Sequence, residues 1–212
     1  MINRLMRMSV SAAAKTQPRR IEREVDKYLY ASPAAKADVE EISRAAAMLR
    51  LAGFAPGDLG SIAVRRTDTS ATITTPGSDL RSIDNRHLTS IAIDKSDHPV
   101  LAGLQAGAMA AAIGYPPNLL ALASSGIATL PLGRSALGEM ATEVTFVGSS
   151  PSSEQWWTDA IATHAGVVVS LQGTALSIGS NPIEAAARME AAEALAIRAI
   201  LVAGQENKYD PS

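Results

Sequence analysis

Apolar residues recur every three or four positions in the region that follows Ser32-Pro33. Ser32 is a good N-cap residue, and Pro33 fits the first position of a helix. The periodic positions are Val39, Ile42, Ala46 and Leu49. Because this spacing places them on one helical face, and because Gly53 follows, the pattern predicts a helix over about 33–52.

The pattern changes between 61 and 94, where β-branched residues cluster or alternate with polar ones. The segments are "SIAVRR", "SATITTP" and "TSIAID", separated by the turn-forming "TDT" and "GSD". Alternation over four to eight residues is typical of strands. This region therefore predicts strands of a mostly antiparallel sheet.

An Ala-rich stretch from Pro99 to Ile113 predicts a second helix, which "YPPN" at 115–118 would end, because neither proline continues a helical hydrogen-bond ladder. The apolar run at 118–123 then predicts a short buried strand that stops at Ser124 and Ser125.

The last third of the chain predicts further strands and helices. They are a strand at 143–148, a helix at 152–164, strands at 166–171 and 174–179 joined at Gln172-Gly173, and a long helix from Asn181-Pro182 to Gly204. The economical architecture is one α+β domain over 32–212, a three-layer α/β/α fold with a central, mostly antiparallel sheet covered by helices. Residues 1–31 form a basic N-terminal arm with no acidic residue before Glu22. We expect this arm to lie on the domain or on a neighbouring subunit; a transit peptide is the alternative.

Composition narrows the function. The net charge of −2 argues against nucleic-acid binding, which needs clustered Lys and Arg. No apolar run approaches the length of a membrane span. Cys is absent, which fits a reducing compartment, so a cytoplasmic location is expected.

Two segments resemble the class II aldolase/adducin family. "GDLGSIAVRRTDTSATITTPGSDL" (57–80) resembles its opening strands and loops, and "HAGVVVSLQGTALSIGSNPIEAAARMEAAEALAIRAI" (164–200) resembles its closing strands and long helix. The resemblance implies a helix-covered sheet, a homotetramer and, in the family's enzymes, a divalent metal that stabilises an enediolate. A His-x-His pair at the end of one strand and a His-Gly pair hold that metal.

This sequence departs from the family at the metal ligands. Matching 118–126 to the strand with the paired histidines places Ala123 and Ser125 at their positions, and Gln172 stands where the His-Gly pair has its histidine. Independently of the family, a catalytic zinc site needs about three protein ligands. The chain has no Cys and only His87, His98 and His164, which lack metal-binding spacing. We therefore expect no metal, no cofactor and no catalytic residue of the family type.

The loops that hold a substrate phosphate in the family are the second inherited feature. Here they carry Gly60 and Ser61, then Thr75, Gly77 and Ser78, which would offer N–H groups and hydroxyls to an anion. The alternative is that the two glycines only make tight turns.

Three functions follow from these features. The first is a non-catalytic protein that has lost the zinc site and serves small-molecule binding or assembly as a homo-oligomer, with a phosphorylated or sugar-like ligand. The second is a metal-independent aldolase or epimerase acting on a sugar phosphate or hydroxy-carbonyl compound. The third is a partner subunit for an active paralogue. Trp156 and Trp157 have two alternative roles. They stack on a ligand, or one packs in the core and the other at a subunit contact.

Overall fold

A computed structural model of the chain describes residues 36–95, 98–125, 129–130, 143–147, 154–163, 166–170 and 174–206. These residues all fall in one compact unit. The basic arm over 1–31 lies outside the described residues, and the domain boundary at 32 stays a prediction.

The described residues form five α-helices and eight strands. The helices are α1 (Lys36–Leu51), α2 (Pro99–Gln105), α3 (Pro117–Ser124), α4 (Glu154–Thr163) and α5 (Pro182–Glu206). The strands are β1 (Ser61–Arg65), β2 (Ser70–Thr74), β3 (Leu88–Ala92), β4 (Ala110–Gly114), β5 (Thr129–Leu130), β6 (Glu143–Val147), β7 (Gly166–Ser170) and β8 (Ala175–Gly179). Two 3-10 turns, Asn85–His87 and Ile93–Lys95, flank β3.

The strands form one sheet in the order β3-β2-β1-β4-β8-β7-β6-β5. Every neighbouring pair is antiparallel except β6 and β7, which run parallel. The predicted α+β class with a mostly antiparallel central sheet is therefore confirmed. None of the described helices is long and apolar enough to cross a membrane.

Helices cover both faces of the sheet. On one face, α1, α3 and α5 pack over strand residues such as Ile62, Ala112 and Val169 in a shared core. On the other, α2 and α4 contact the sheet and each other. Because successive strand residues point to opposite faces, Ala111 contacts α2, whereas its neighbour Ala112 faces α5. This arrangement gives the three predicted layers.

Small residues let the helices approach closely. Gly103 on α2 is the sharpest case, because a Cβ there would lie 2.8 Å from Ile178 Cγ2 and 2.9 Å from the Ala111 Cβ. On the opposite face, α5 presents the fully buried Ala185, Ala192 and Ala196 to the core. A chain with 4% aromatic residues thus fills its core by close approach rather than with large rings.

Two predictions between 99 and 123 are wrong. The helix predicted over 99–113 ends at Gln105, and Ala110–Gly114 forms strand β4. The strand predicted over 118–123 is instead helix α3. Alanine tolerates both conformations, and β4 lies between β1 and β8 with helices on both faces, where small residues fit.

The prolines begin a helix instead of ending one. Pro117 occupies the first turn of α3, where a missing N–H costs nothing. Pro116 at the N-cap has no side-chain oxygen, and the buried carboxylate of Glu193 on α5 supplies the cap. Since the cap comes from 75 residues away, a local pattern does not reveal it.

The remaining elements agree with the sequence. The helix predicted over 33–52 is α1, the three early strands are β1 to β3, and the late strands are β6 to β8. The last helix begins as expected, since Asn181 Oδ1 accepts from Glu184 N at 2.8 Å, and Glu184 pairs with Arg188 at 2.7 Å.

Candidate functional site

A cavity of about 390 Å³ lies at one end of the central strands, where β4 and β7 finish and β1 and β8 begin. It is lined by Asp58, Leu59, Gly60, Ser61, Pro76, Gly77, His98, Pro99, Ile113, Tyr115, Trp157, Ser170 and Thr174. The size is within the range of small-molecule sites, and polar side chains stand among apolar ones, as such sites require.

The loop before β1 is held against the sheet by a glycine. Gly60 has φ of +101°, and a Cβ there would lie 3.1 Å from both the Ala55 Cβ and Leu80 Cδ1. After it, the Ser61 hydroxyl shares a 3.0 Å hydrogen bond with Thr74 on β2, which fixes the floor of the cavity. Gly60 and Ser61 both line the cavity, as their anion-binding role requires.

The loop after β2 is a β-turn with the sequence Thr75-Pro76-Gly77-Ser78. Ser78 N donates to Thr75 O at 3.1 Å, and Gly77 has φ of +76°, so proline and glycine occupy their preferred places in a type II turn. Pro76 and Gly77 line the cavity, but Thr75 and Ser78 do not; their hydroxyls lie 2.5 Å apart and bond to each other. Gly77 thus has a turn-forming role, Gly60 allows the close approach of its loop, and the anion-binding role stays a prediction.

Strand β4 delivers two side chains to the cavity. Ile113 and Tyr115 are two positions apart at the strand end and both line it, while Gly114 between them packs on Phe54 and Met189. The Tyr115 N–H donates to Phe54 O at 2.7 Å, which anchors the strand end. Because the sequence predicts a helix here, it does not identify either residue as part of a site.

His98 is the N-cap residue of α2 and lines the cavity. Its Nδ1 accepts a 3.3 Å hydrogen bond from the Val100 N–H, so in the neutral ring the proton sits on Nε2. Burial lowers the pKa of His98 to about 4, which keeps the ring uncharged at neutral pH. From the sequence this histidine is expected to be an ordinary loop or helix-end residue, and its N-cap position agrees with that expectation. Its place at the cavity is not evident from the sequence; the signal for its position is the His-Pro pair at a helix start.

The opposite wall comes from β7, β8 and α4. Ser170 is buried at the end of β7, and its Oγ accepts from Thr174 N at 3.3 Å. Gln172 and Gly173 lie between them, outside the described residues, so the expectation for Gln172 stays a prediction. Trp157 is buried at 5% exposure and lines the cavity, whereas the Trp156 side chain lies outside the described part.

The structure places Ala123 and Ser125 away from any strand end. Ala123 is buried within α3, and Ser125 follows the helix, where its Oγ donates to Leu122 O at 2.7 Å. Neither lines the cavity. Their assignment as former metal-ligand positions rested on a strand at 118–123, and that strand is a helix, so the assignment loses its basis.

The described residues that line the cavity offer no set of ligands for a divalent metal. Within the described ranges, no three His, Asp or Glu side chains come together. Ile113 offers no donor atom, and the lone pair on His98 Nδ1 is already used by the Val100 N–H. Of the other two histidines, His87 accepts from Asp84 N at 3.2 Å beyond the 75–78 turn, and His164 is not described.

No family model and no curated protein matches the chain. Several solved structures match the chain. L-fuculose-1-phosphate aldolase from Thermus thermophilus superposes with a TM-score of 0.68 at 17% identity, over 82% of this chain and 97% of that one. A sugar-phosphate aldolase from Thermotoga maritima gives 0.57 at 15% identity, over 80% and 96%. An aldolase II superfamily protein from Pseudomonas syringae gives 0.59 at 16%, over 79% and 76%.

The chain has the class II aldolase fold. The predicted resemblance is confirmed at this level, since three neighbours with that superfamily's activities or name share the architecture over most of both chains. Similarity at these identities concerns the class II aldolase fold alone, so the chemistry of the cavity has to be argued from its own residues.

Proposed function

We propose that this protein binds a small hydroxylated, sugar-like compound in the 390 Å³ cavity without a metal ion and without catalysis of the family type. The observation that carries the proposal is the pair Ile113 and Tyr115 at the end of β4. A metal-binding His-x-His pair at a strand end needs two residues at i and i+2 that face one pocket. Ile113 and Tyr115 meet that geometric condition, but neither side chain has an imidazole nitrogen to bind a metal ion.

We align Ile113 and Tyr115 with the two paired histidines of the family, in place of the earlier alignment of 118–126 with that strand. Strand β4 ends immediately before Tyr115-Pro116, and its neighbour in the sheet is β8, which follows Gln172 in the sequence. Ser170 and Thr174, which lie on either side of Gln172 in the sequence, line the same cavity as Ile113 and Tyr115. The positions of a lost metal site would then be Ile113, Tyr115 and Gln172.

The cavity retains what a small polar ligand needs. Ser61, Ser170 and Thr174 contribute hydroxyls, and Asp58 contributes a carboxylate. Ile113 and the rings of Tyr115 and Trp157 offer apolar contact to a carbon skeleton. A few placed polar groups among apolar ones is the usual composition of a ligand site.

Two measurements test the proposal together. Elemental analysis of purified protein should find less than stoichiometric divalent metal; a full equivalent per chain would contradict the metal-free site. Thermal shift with sugars, ketoses and hydroxy acids should find a stabilising ligand, which adds about 2.7 kcal/mol at 100 times its dissociation constant. Absence of any shift across the panel would remove the binding function.

A metal-independent enzyme is the second candidate, and the neutral His98 favours it. An uncharged imidazole with Nε2–H can donate to a carbonyl oxygen, and the Tyr115 phenol in the same cavity is a second proton donor. Turnover of a hydroxy-carbonyl substrate that persists in chelator and falls at least 100-fold in both His98→Ala and Tyr115→Phe would establish it.

We also propose that the chain forms a homo-oligomer. Four large apolar side chains near the end of α5 are exposed: Ile197 at 43%, Ile200 at 37%, Leu201 at 62% and Val202 at 47%. Exposed apolar residues on one helix segment favour association. Light scattering after size-exclusion chromatography gives the oligomer mass, and a monomer at micromolar concentration would contradict this.

A further inference from the structure

We propose that the cavity selects an uncharged hydroxy or carbonyl compound over a phosphate ester, with the Nε2–H of His98 as a donor to the ligand oxygen; this rests on the proposed function. Three features support this selectivity: the charges of the residues at the cavity, the hydrogen bonds between the hydroxyls of its loops, and the tautomer of His98.

The lining carries no cationic side chain. Among the described residues around the cavity none is Lys or Arg, and the carboxylate of Asp58 is negative. A phosphate ester carries up to two negative charges, and proteins bind it with Arg, Lys or a helix N-terminus. The N-terminus of α2 reaches the cavity at His98 and Pro99, but Pro99 has no N–H and the Val100 N–H already donates to His98 Nδ1. A phosphate ester would therefore meet the like charge of Asp58, which an uncharged hydroxyl or carbonyl group does not.

The arginines that follow the 75–78 turn are already paired with acids. Arg81 Nε lies 2.8 Å from Asp79 Oδ2, and Arg86 binds Asp84 Oδ2 at 2.7 Å. The hydrogen bonds from Arg86 lower the pKa of Asp84 to about 2, so that pair stays ionised near neutral pH. Arg81 and Arg86 are therefore each balanced by the acid two positions before them.

The hydroxyls of Ser61, Thr75 and Ser78 each share a hydrogen bond with a neighbouring hydroxyl. Thr75 and Ser78 share a 2.5 Å hydrogen bond, and Ser61 pairs with Thr74 at 3.0 Å. In each pair, one hydroxyl donates its proton to the other hydroxyl and so cannot donate it to a ligand. A phosphate needs several convergent donors, and this arrangement reduces their number, whereas one oxygen of a neutral ligand needs only one or two.

His98 provides such a donor without a charge. Its Nδ1 is fixed as an acceptor by the Val100 N–H, which leaves the proton on Nε2. Desolvation lowers its pKa to about 4, so the imidazolium that would attract phosphate is not formed at neutral pH. A neutral donor beside the apolar Ile113 and Pro99 suits a carbonyl or hydroxyl oxygen.

Matched pairs of ligands test the inference. Dissociation constants are measured by calorimetry at fixed ionic strength for L-fuculose and L-fuculose 1-phosphate, fructose and fructose 6-phosphate, and dihydroxyacetone and its phosphate. We expect at least one free compound to bind 10-fold or more tightly than its ester. Tighter binding of the esters would overturn this inference and leave the proposed function standing. Binding of no member of the panel would remove both.

Two substitutions at His98 separate donation from helix capping. His98→Asn and His98→Asp both keep an acceptor for the Val100 N–H, but only Asn keeps a donor. We expect His98→Asp to weaken binding of the preferred free compound at least 5-fold more than His98→Asn does. Equal affinities in the two variants, with both folded by circular dichroism, would contradict donation by His98.

Two further measurements do not depend on a His98 variant. Asp58→Asn removes a negative charge from the cavity, so it should reduce the preference for the free compound over its ester several-fold; an unchanged or larger preference would contradict the charge argument. In long-range ¹H–¹⁵N NMR with assigned histidine signals, His98 should show the Nε2–H tautomer at pH 6, and its Nε2 signal should move when the free compound is added. An Nδ1–H tautomer for His98, or no shift in the bound state, would contradict it.

Discussion

The carboxylate of Glu193 on α5 binds the N-terminus of α3 through Asn118. Its Oε1 accepts from Asn118 N at 2.9 Å and from Asn118 Nδ2 at 2.7 Å, and its Oε2 accepts from Leu119 N at 2.8 Å. Glu193 is only 5% exposed. One buried side chain therefore satisfies N–H groups that Pro116 leaves without a cap, and it fixes α3 against α5.

Replacement of Glu193 by Gln should destabilise the protein by about 1–3 kcal/mol, because an amide NH₂ would face backbone donors that lose an acceptor. Urea denaturation followed by circular dichroism measures the change. Glu190→Gln is the matched control on the same helix. Desolvation raises the pKa of Glu190, so removal of its charge should cost nothing. Equal losses in the two variants would contradict the capping role.

The α3 cap also explains which parts of the fold the sequence predicts. Elements with a strong periodic or alternating pattern, such as α1 and β1, follow from local residues alone. Between 99 and 125 the residues are mostly Ala and Leu, which suit a helix or a buried strand. There the outcome depends on the position of β4 inside the sheet and on Glu193, and neither is visible locally.

The candidate site likewise contains residues that follow from local sequence and residues that do not. Gly60, Ser61 and Gly77, which the sequence analysis names, line the cavity, and the positive φ of the two glycines corresponds to a recognisable Gly and Pro pattern. Ile113, Tyr115 and His98 were missed. Their importance comes from the convergence of three separate elements on one cavity, and a single sequence without the correct β4 assignment does not show it.

Replacement of Gly60 by Ala should cost about 1–3 kcal/mol. Its φ of +101° is unfavourable for a residue with Cβ, and the new methyl would press on Ala55 and Leu80 at 3.1 Å. Gly57→Ala is the control in the same loop. Gly57 has φ of +65° and open space around the site of a Cβ, so it should lose only about 1 kcal/mol. Thermal or urea unfolding that ranks the two variants in the opposite order would contradict the packing argument.

Stability should fall as the pH drops from about 6.5 to about 4 because of His98. Its folded pKa of about 4 lies below the ordinary value of 6.5, so the unfolded chain binds a proton in this range that the native chain does not. Stability therefore rises with pH there, by on the order of 3 kcal/mol in total. Urea titrations at pH 7, 6, 5 and 4 measure the slope. A His98→Asn variant should lose that part of the slope, and an unchanged slope would contradict the prediction.

Replacement of Asp38 by Asn tests the buried charge that links α1 to the sheet. Asp38 is 1% exposed, its Oδ2 accepts from the Thr72 hydroxyl at 2.5 Å, and its Oδ1 forms an ion pair with Arg66. Loss of one partner of a buried pair costs about 3–5 kcal/mol; because Arg66 is partly exposed, we expect the lower end. Urea unfolding should show the loss, and Asp68→Asn, at an exposed position in the turn between β1 and β2, should be neutral. A loss below about 1 kcal/mol would show that the pair does not hold α1.

Installation of histidines tests which positions correspond to a metal site. The variant Ile113→His, Tyr115→His, Gln172→His places two imidazoles at the end of β4 and a third in the sequence between β7 and β8. The control Ala123→His, Ser125→His, Gln172→His places two of them on and just after α3. Because three converging nitrogens about 2.0–2.1 Å from the ion suffice for zinc, only the first variant should bind one equivalent tightly. Calorimetric zinc titration measures this. Tight binding by the second variant alone would restore the alignment of 118–126 with the histidine strand, and with it the case for Ala123 and Ser125.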